Sequence, residues 1–124
     1  MTEFTLISLG LNLVYLAIAL GFVRAAYIRE VEAAAAPFDA IVMPTVPCVA
    51  PTIAEVDASD EAYFKWNARV LRNAGLINFL DGCAVTVPCQ EPGSGPVGLM
   101  VSGTAMTDRR TLAVACALER ALEG

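Results

Sequence analysis

The amino-acid sequence predicts an α/β fold, a small mixed β-sheet flanked by helices. Three observations point there. Short apolar runs rich in β-branched residues lie at about residues 39–44, 83–87 and 97–102, each of strand length and bounded by proline or glycine. Stretches with helical spacing lie near residues 5–35, 61–74 and 108–122. The connectors between them hold most of the glycine and proline, the residues that turns require. A chain of 124 residues has room for one core. We divide it into an apolar leader helix, residues 1–23, and the segment 24–124.

The leader is the first element. Residues 4–23 contain no charge, and about 20 apolar residues are enough to cross a bilayer as a helix. Arg24 and Arg29 follow, as a cytoplasmic flank would, so a membrane association through residues 4–23 is one expectation. Thr5, Ser8 and Asn12 weigh against it. A cleaved signal peptide fits less well, because the only charge before the apolar run is Glu3, although Ala17-Ile18-Ala19 has the spacing of a cleavage site. A hydrophobic helix, buried in a larger fold or membrane-associated, ranks above secretion. From Arg24 to Ala36 the composition becomes that of a strong helix former, with Ile28, Val31 and Ala35 turned inward and Arg29, Glu30 and Glu32 outward. Pro37 ends the helix.

Residues 38–51, FDAIVMPTVPCVAP, are expected to anchor the fold. Ala40, Ile41, Val42 and Met43 read as a strand covered on both faces. Pro44, Pro47 and Pro51 then stiffen a loop of the kind that lines ligand pockets. The acidic run EVDASDE at residues 55–61 admits metal or general-acid chemistry, but a solvated loop is preferred, with Ser59 or Asp60 capping the next helix. That helix carries Phe64, Ala68 and Leu71 on one side and Lys65, Arg69 and Arg72 as a basic flank, and Gly75 is expected to stop it. An apolar turn closing at Asp81-Gly82 leads into the strand Cys83 to Val87, which Pro88 ends.

The connector QEPGSGP at residues 90–96 is too short for a helical crossover, so the third strand, VGLMVS, pairs antiparallel with the one before it. Ser94 between two glycines resembles a nucleophile only superficially. The chain has no histidine to act as its base, and a turn is the preferred reading. Thr107 or Asp108 can cap the last helix, whose buried stripe is Thr111, Ala115, Leu118 and Leu122.

Composition narrows the function classes. The formal net charge is -5 and the basic residues do not cluster with aromatics, which discounts nucleic acid as a partner. Hydrophobic residues make up 56% and charged residues 17%, a balance that implies buried elements, a membrane segment or a surface that expects a partner. Cys48, Cys83, Cys89 and Cys116 show no CxxC pairing, so neither a zinc site nor any other cofactor is expected. Free thiols in a reducing cytoplasm are the preferred reading, with a disulfide or a reactive thiol as the alternative.

Three pieces stand in order: FDAIVMPTVPCVAPTIAE (residues 38–55), NFLDGCAVTVPCQ (78–90) and PVGLMVSGTAMTDRRTLAVACALERAL (96–122). Taken together they resemble the carboxy-terminal part of the amidase signature family of amide hydrolases. The resemblance covers about residues 24–124 and gives no support to the apolar leader. It implies a Ser–cis-Ser–Lys triad, in which lysine, through the bridging serine, deprotonates the nucleophile, and glycine-rich backbone amides hold the oxyanion. No residue carries that chemistry here. The serines are Ser8, Ser59, Ser94 and Ser102, none adjacent to another, and the only lysine is Lys65. By the same resemblance Pro44, Thr45, Pro47, Asn73 and Asn78 match positions near the substrate, with scaffold as the competing reading for each.

The expectation is therefore a truncated amidase-like chain, inactive alone, whose partner is a missing amino-terminal amidase portion or a second copy joined through an open sheet edge. A membrane-anchored or oligomeric structural module is the alternative. A cysteine-nucleophile enzyme is a third.

Overall fold

The computed structural model describes residues 3–123, with side chains for residues 13–122. The chain divides into two compact units, Met1–Ala34 and Ala35–Gly124.

The first unit is α1, which runs unbroken over Glu3–Ala35. No proline interrupts it, and Pro37 prevents its continuation; the Phe38 N–H closes the end by donating to the Ala35 carbonyl at 2.9 Å. Ile28, Val31 and Ala35 are half-buried while Arg29, Glu30 and Glu32 are exposed, following the predicted spacing. Leu13, Val14, Tyr15 and Leu16 are all more than half exposed. Four consecutive residues span a full turn, so this part of α1 is apolar all round. Among the described residues no helix is long and apolar enough to cross a membrane. The side chains of residues 4–12 of the predicted leader lie outside those described.

The second unit holds β1 (Ile41–Pro44), α2 (Ile53–Val56), α3 (Asp60–Phe79), β2 (Cys83–Pro88), β3 (Gly98–Gly103) and α4 (Asp108–Glu123). The α/β class holds, but the sheet is not mixed. Its order is β1-β3-β2, and β3 is antiparallel to both neighbours. The helical connection from β1 to β2 leaves those two strands parallel, and the short connector after β2 returns β3 between them, so no parallel pair is adjacent. This also moves the centre of the fold. β3 is the buried strand, with Met100, Val101 and Ser102 at 3%, 0% and 0% exposure. β1 is an edge, and Val42 is exposed rather than covered on both faces.

Val42, Val101 and Val85 are register partners and share a face with Val87 and Leu99. α4 crosses β2 and β3 on that face, where Ala115, Val114 and Leu118 pack on Val85, Val87 and Val101. Thr111 and Ala115 are buried as their spacing predicts, whereas Leu122 is exposed, because it lies near the end of α4.

Gly75 does not stop α3. A glycine costs a helix about 1 kcal/mol, and burial of Ile77 and Leu80 beyond it opposes that loss. The helix ends instead in a Schellman motif. Asp81 adopts φ 54, the Asp81 N–H donates to the Asn78 carbonyl, and the Gly82 N–H donates to the Ile77 carbonyl at 3.0 Å. Its buried side also differs from the predicted one. Trp66, Val70, Asn73, Ile77 and Leu80, spaced at alternating four and three residues, are buried or half-buried, while Phe64, Ala68 and Leu71 are exposed.

The acidic run is only partly a loop. Residues 53–56 form α2, held by a capping box in which the Thr52 N–H donates to Glu55 Oε2 at 2.8 Å and the Glu55 N–H donates to Thr52 Oγ1 at 3.3 Å. Ser59 caps α3 by accepting the Ala62 N–H.

Candidate functional site

The loop after β1 meets α3 through one buried polar side chain. Asn73 lies on the buried side of α3 and donates Nδ2 to the Pro44 carbonyl at 2.7 Å. Its Oδ1 accepts from Arg72 Nε at 3.3 Å. A carbonyl at the end of an edge strand needs a partner once it is shielded from water, and the amide supplies one. Thr45 follows. Its N–H donates to the Gly98 carbonyl at 2.9 Å, extending the β1–β3 ladder, and its hydroxyl pairs with that of Thr86 at 3.1 Å. A side chain at Gly98 would collide with Thr86 and Thr45, so glycine is what lets both threonines close over β3.

Of the residues predicted near the substrate, Pro44, Thr45 and Asn73 thus come together at one end of the sheet. Pro47 is half-buried in the loop beyond. Asn78 is exposed and on another side of α3: five residues turn a helix about 140° past a full circle, so it cannot share the side of Asn73. Its carbonyl serves the helix end by accepting the Asp81 N–H at 3.2 Å.

A second cluster was not singled out from the sequence. Cys83, the first residue of β2, places Sγ 3.2 Å from Thr111 Oγ1, 3.5 Å from Thr107 Oγ1 and 3.7 Å from the Thr104 carbonyl. Thr107 Oγ1 donates to the Thr104 carbonyl at 2.7 Å, and Thr111 Oγ1 lies 3.1 Å from the Thr107 carbonyl. Burial pushes the Cys83 thiol up, but the hydroxyls of Thr107 and Thr111, with the Gly103 backbone, outweigh it. Asp108 opposes them, and the net displacement is below the ordinary thiol range. The T-x-x-x-T spacing at residues 107–111, from the residue before α4 into its first turn, brings both hydroxyls to the same side, a signal that becomes informative only once β2 is known to lie beside it.

Neither cluster contains a nucleophile with its base. Among the described serines, Ser59 caps α3, Ser94 donates to the Glu91 carbonyl at 2.7 Å within the connector, and buried Ser102 donates to the Ile41 carbonyl at 3.0 Å. Lys65 is exposed on α3. Glu55 belongs to the capping box, where the Thr52 N–H, then its hydroxyl, hold the carboxyl below the usual range. Among the described residues no group of His, Cys, Asp and Glu is arranged to hold a metal ion. A separate cavity of about 210 Å³ is lined by Pro88, Cys89, Gln90, Glu119 and Leu122.

The family model described as Amidase matches residues 15–112. The match begins inside the apolar stretch that the sequence resemblance alone had left without support. No curated protein and no solved structure matches the chain. A match over most of the 124 residues, running through both the loop–α3 contact and the Cys83 cluster, shows that this chain belongs to the amidase family.

Proposed function

We propose that this chain contributes the carboxy-terminal part of an amidase-like amide C–N hydrolase and works with an amino-terminal portion that carries the Ser–cis-Ser–Lys triad. The family match over residues 15–112 carries this reading. The chemistry of the chain supports it. Its 124 residues hold no adjacent serines, and Ser59, Ser94 and Ser102 are each engaged in a backbone hydrogen bond. Without a base in reach a serine hydroxyl is a weak nucleophile, so the chain alone is expected to be inactive. In the assembled enzyme the loop of Pro44, Thr45 and Pro47, fastened by Asn73, closes one side of the acyl pocket, and Asn78 stands outside it. The free thiols Cys48, Cys83, Cys89 and Cys116 suit a cytoplasmic site.

The test is hydrolysis of aliphatic and aryl amides by the purified chain, alone and co-expressed with an amino-terminal amidase segment bearing the triad. No turnover alone and turnover in the pair is the expected result. Turnover by the chain alone would overturn the proposal, as would a pair that neither co-purifies nor hydrolyses any amide. If alkylation of the thiols abolishes turnover by the chain alone, the cysteine reading takes its place.

An oligomeric structural module that retains the amidase-like segment is a second reading, supported by the exposed apolar residues of α1 such as Leu16, Leu20 and Phe22. Light scattering decides it: a stable oligomer that persists when the triad-bearing segment is supplied favours the module, and a monomer that pairs with that segment counts against it. Release from membranes only by detergent would favour an anchored form of this second reading.

A further inference from the structure

We draw no further inference here: the strongest candidate, the exposed apolar stretch of α1 at residues 13–23, carries nothing because no feature of the structure shows what covers it.

Discussion

Asn73 Nδ2 donates to the carbonyl of Pro44 at 2.7 Å, joining positions 29 residues apart. Asn73 is buried on α3 while Pro44 is exposed at the end of β1, and the bond sets where the proline loop leaves the sheet. Replacing Asn73 by leucine keeps the volume and removes the donor. The Pro44 carbonyl is then left without its partner, and the loss is about 1–3 kcal/mol of stability. Urea unfolding of the two proteins measures it; equal midpoints would show that water reaches the carbonyl and that Asn73 does not hold the loop.

The threonine hydroxyls hold the Cys83 thiol below its ordinary range, so its alkylation rate should rise at lower pH in the folded protein than in the urea-unfolded chain. Thr107→Val and Thr111→Val each remove a hydroxyl beside the sulfur and should return the midpoint upward. The linkage has a definite sign. A folded-state pKa below the unfolded one means that the native protein binds fewer protons in the interval between them, so stability rises with pH there. The contribution is complete above the unfolded thiol pKa and absent below the folded one. Mass-spectrometric alkylation profiles check the first claim, and a Cys83→Ser comparison of unfolding at mildly alkaline pH checks the second.

Gly82 has no room for a side chain. A Cβ there would stand 2.6 Å from the Gly103 carbonyl oxygen and 3.0 Å from Ile77 Cγ2, and the first of these is backbone that cannot step aside cheaply. Gly82→Ala should therefore destabilise the protein by about 1–3 kcal/mol through overpacking between α3 and β3. Gly75→Ala is the control. Nothing lies within 4 Å of its Cβ, and alanine at that position should stabilise α3 by about 1 kcal/mol.

Met106 occupies a left-handed conformation, φ 61, with its side chain 95% exposed just before α4. The side chain contributes little packing to offset the conformational cost. Met106→Gly should raise stability by about 0.5–1 kcal/mol, the relief of the Cβ clash less the added freedom of the unfolded chain. A thermal melt reads the change; a lower melting temperature would show that the methionine side chain makes a stabilising contact.

Much of the fold was legible in the sequence. The three strands stand close to residues 39–44, 83–87 and 97–102 because β-branched runs between prolines and glycines leave few alternatives. Thr52 and Glu55 could also have been read, since T-x-x-E is the local signature of a capping box. Two expectations about α3 failed for reasons outside any local window. Gly75 marks a weak point in helix propensity, but α3 runs through it to Phe79, and Ile77 and Leu80 beyond it are buried. Phe64 and Leu71 are as apolar as Trp66 and Val70, and only the path of α3 selects which pair turns inward.

The α/β class, the order of the elements, the absence of adjacent serines and the amidase likeness can all be read along the chain. These depend on residue type and spacing along the chain, which local backbone preferences translate directly into strands, helices and motifs. Tertiary structure alone decided that β3 is the central strand, that β1 is an edge, that Asn73 reaches Pro44 while Asn78 does not, and that Cys83 sits among Thr104, Thr107 and Thr111. Each of these is a meeting of residues far apart in the chain. Strand order and helix rotation settle such meetings through the burial of side chains, which acts on the assembled fold and leaves no periodicity to read beforehand.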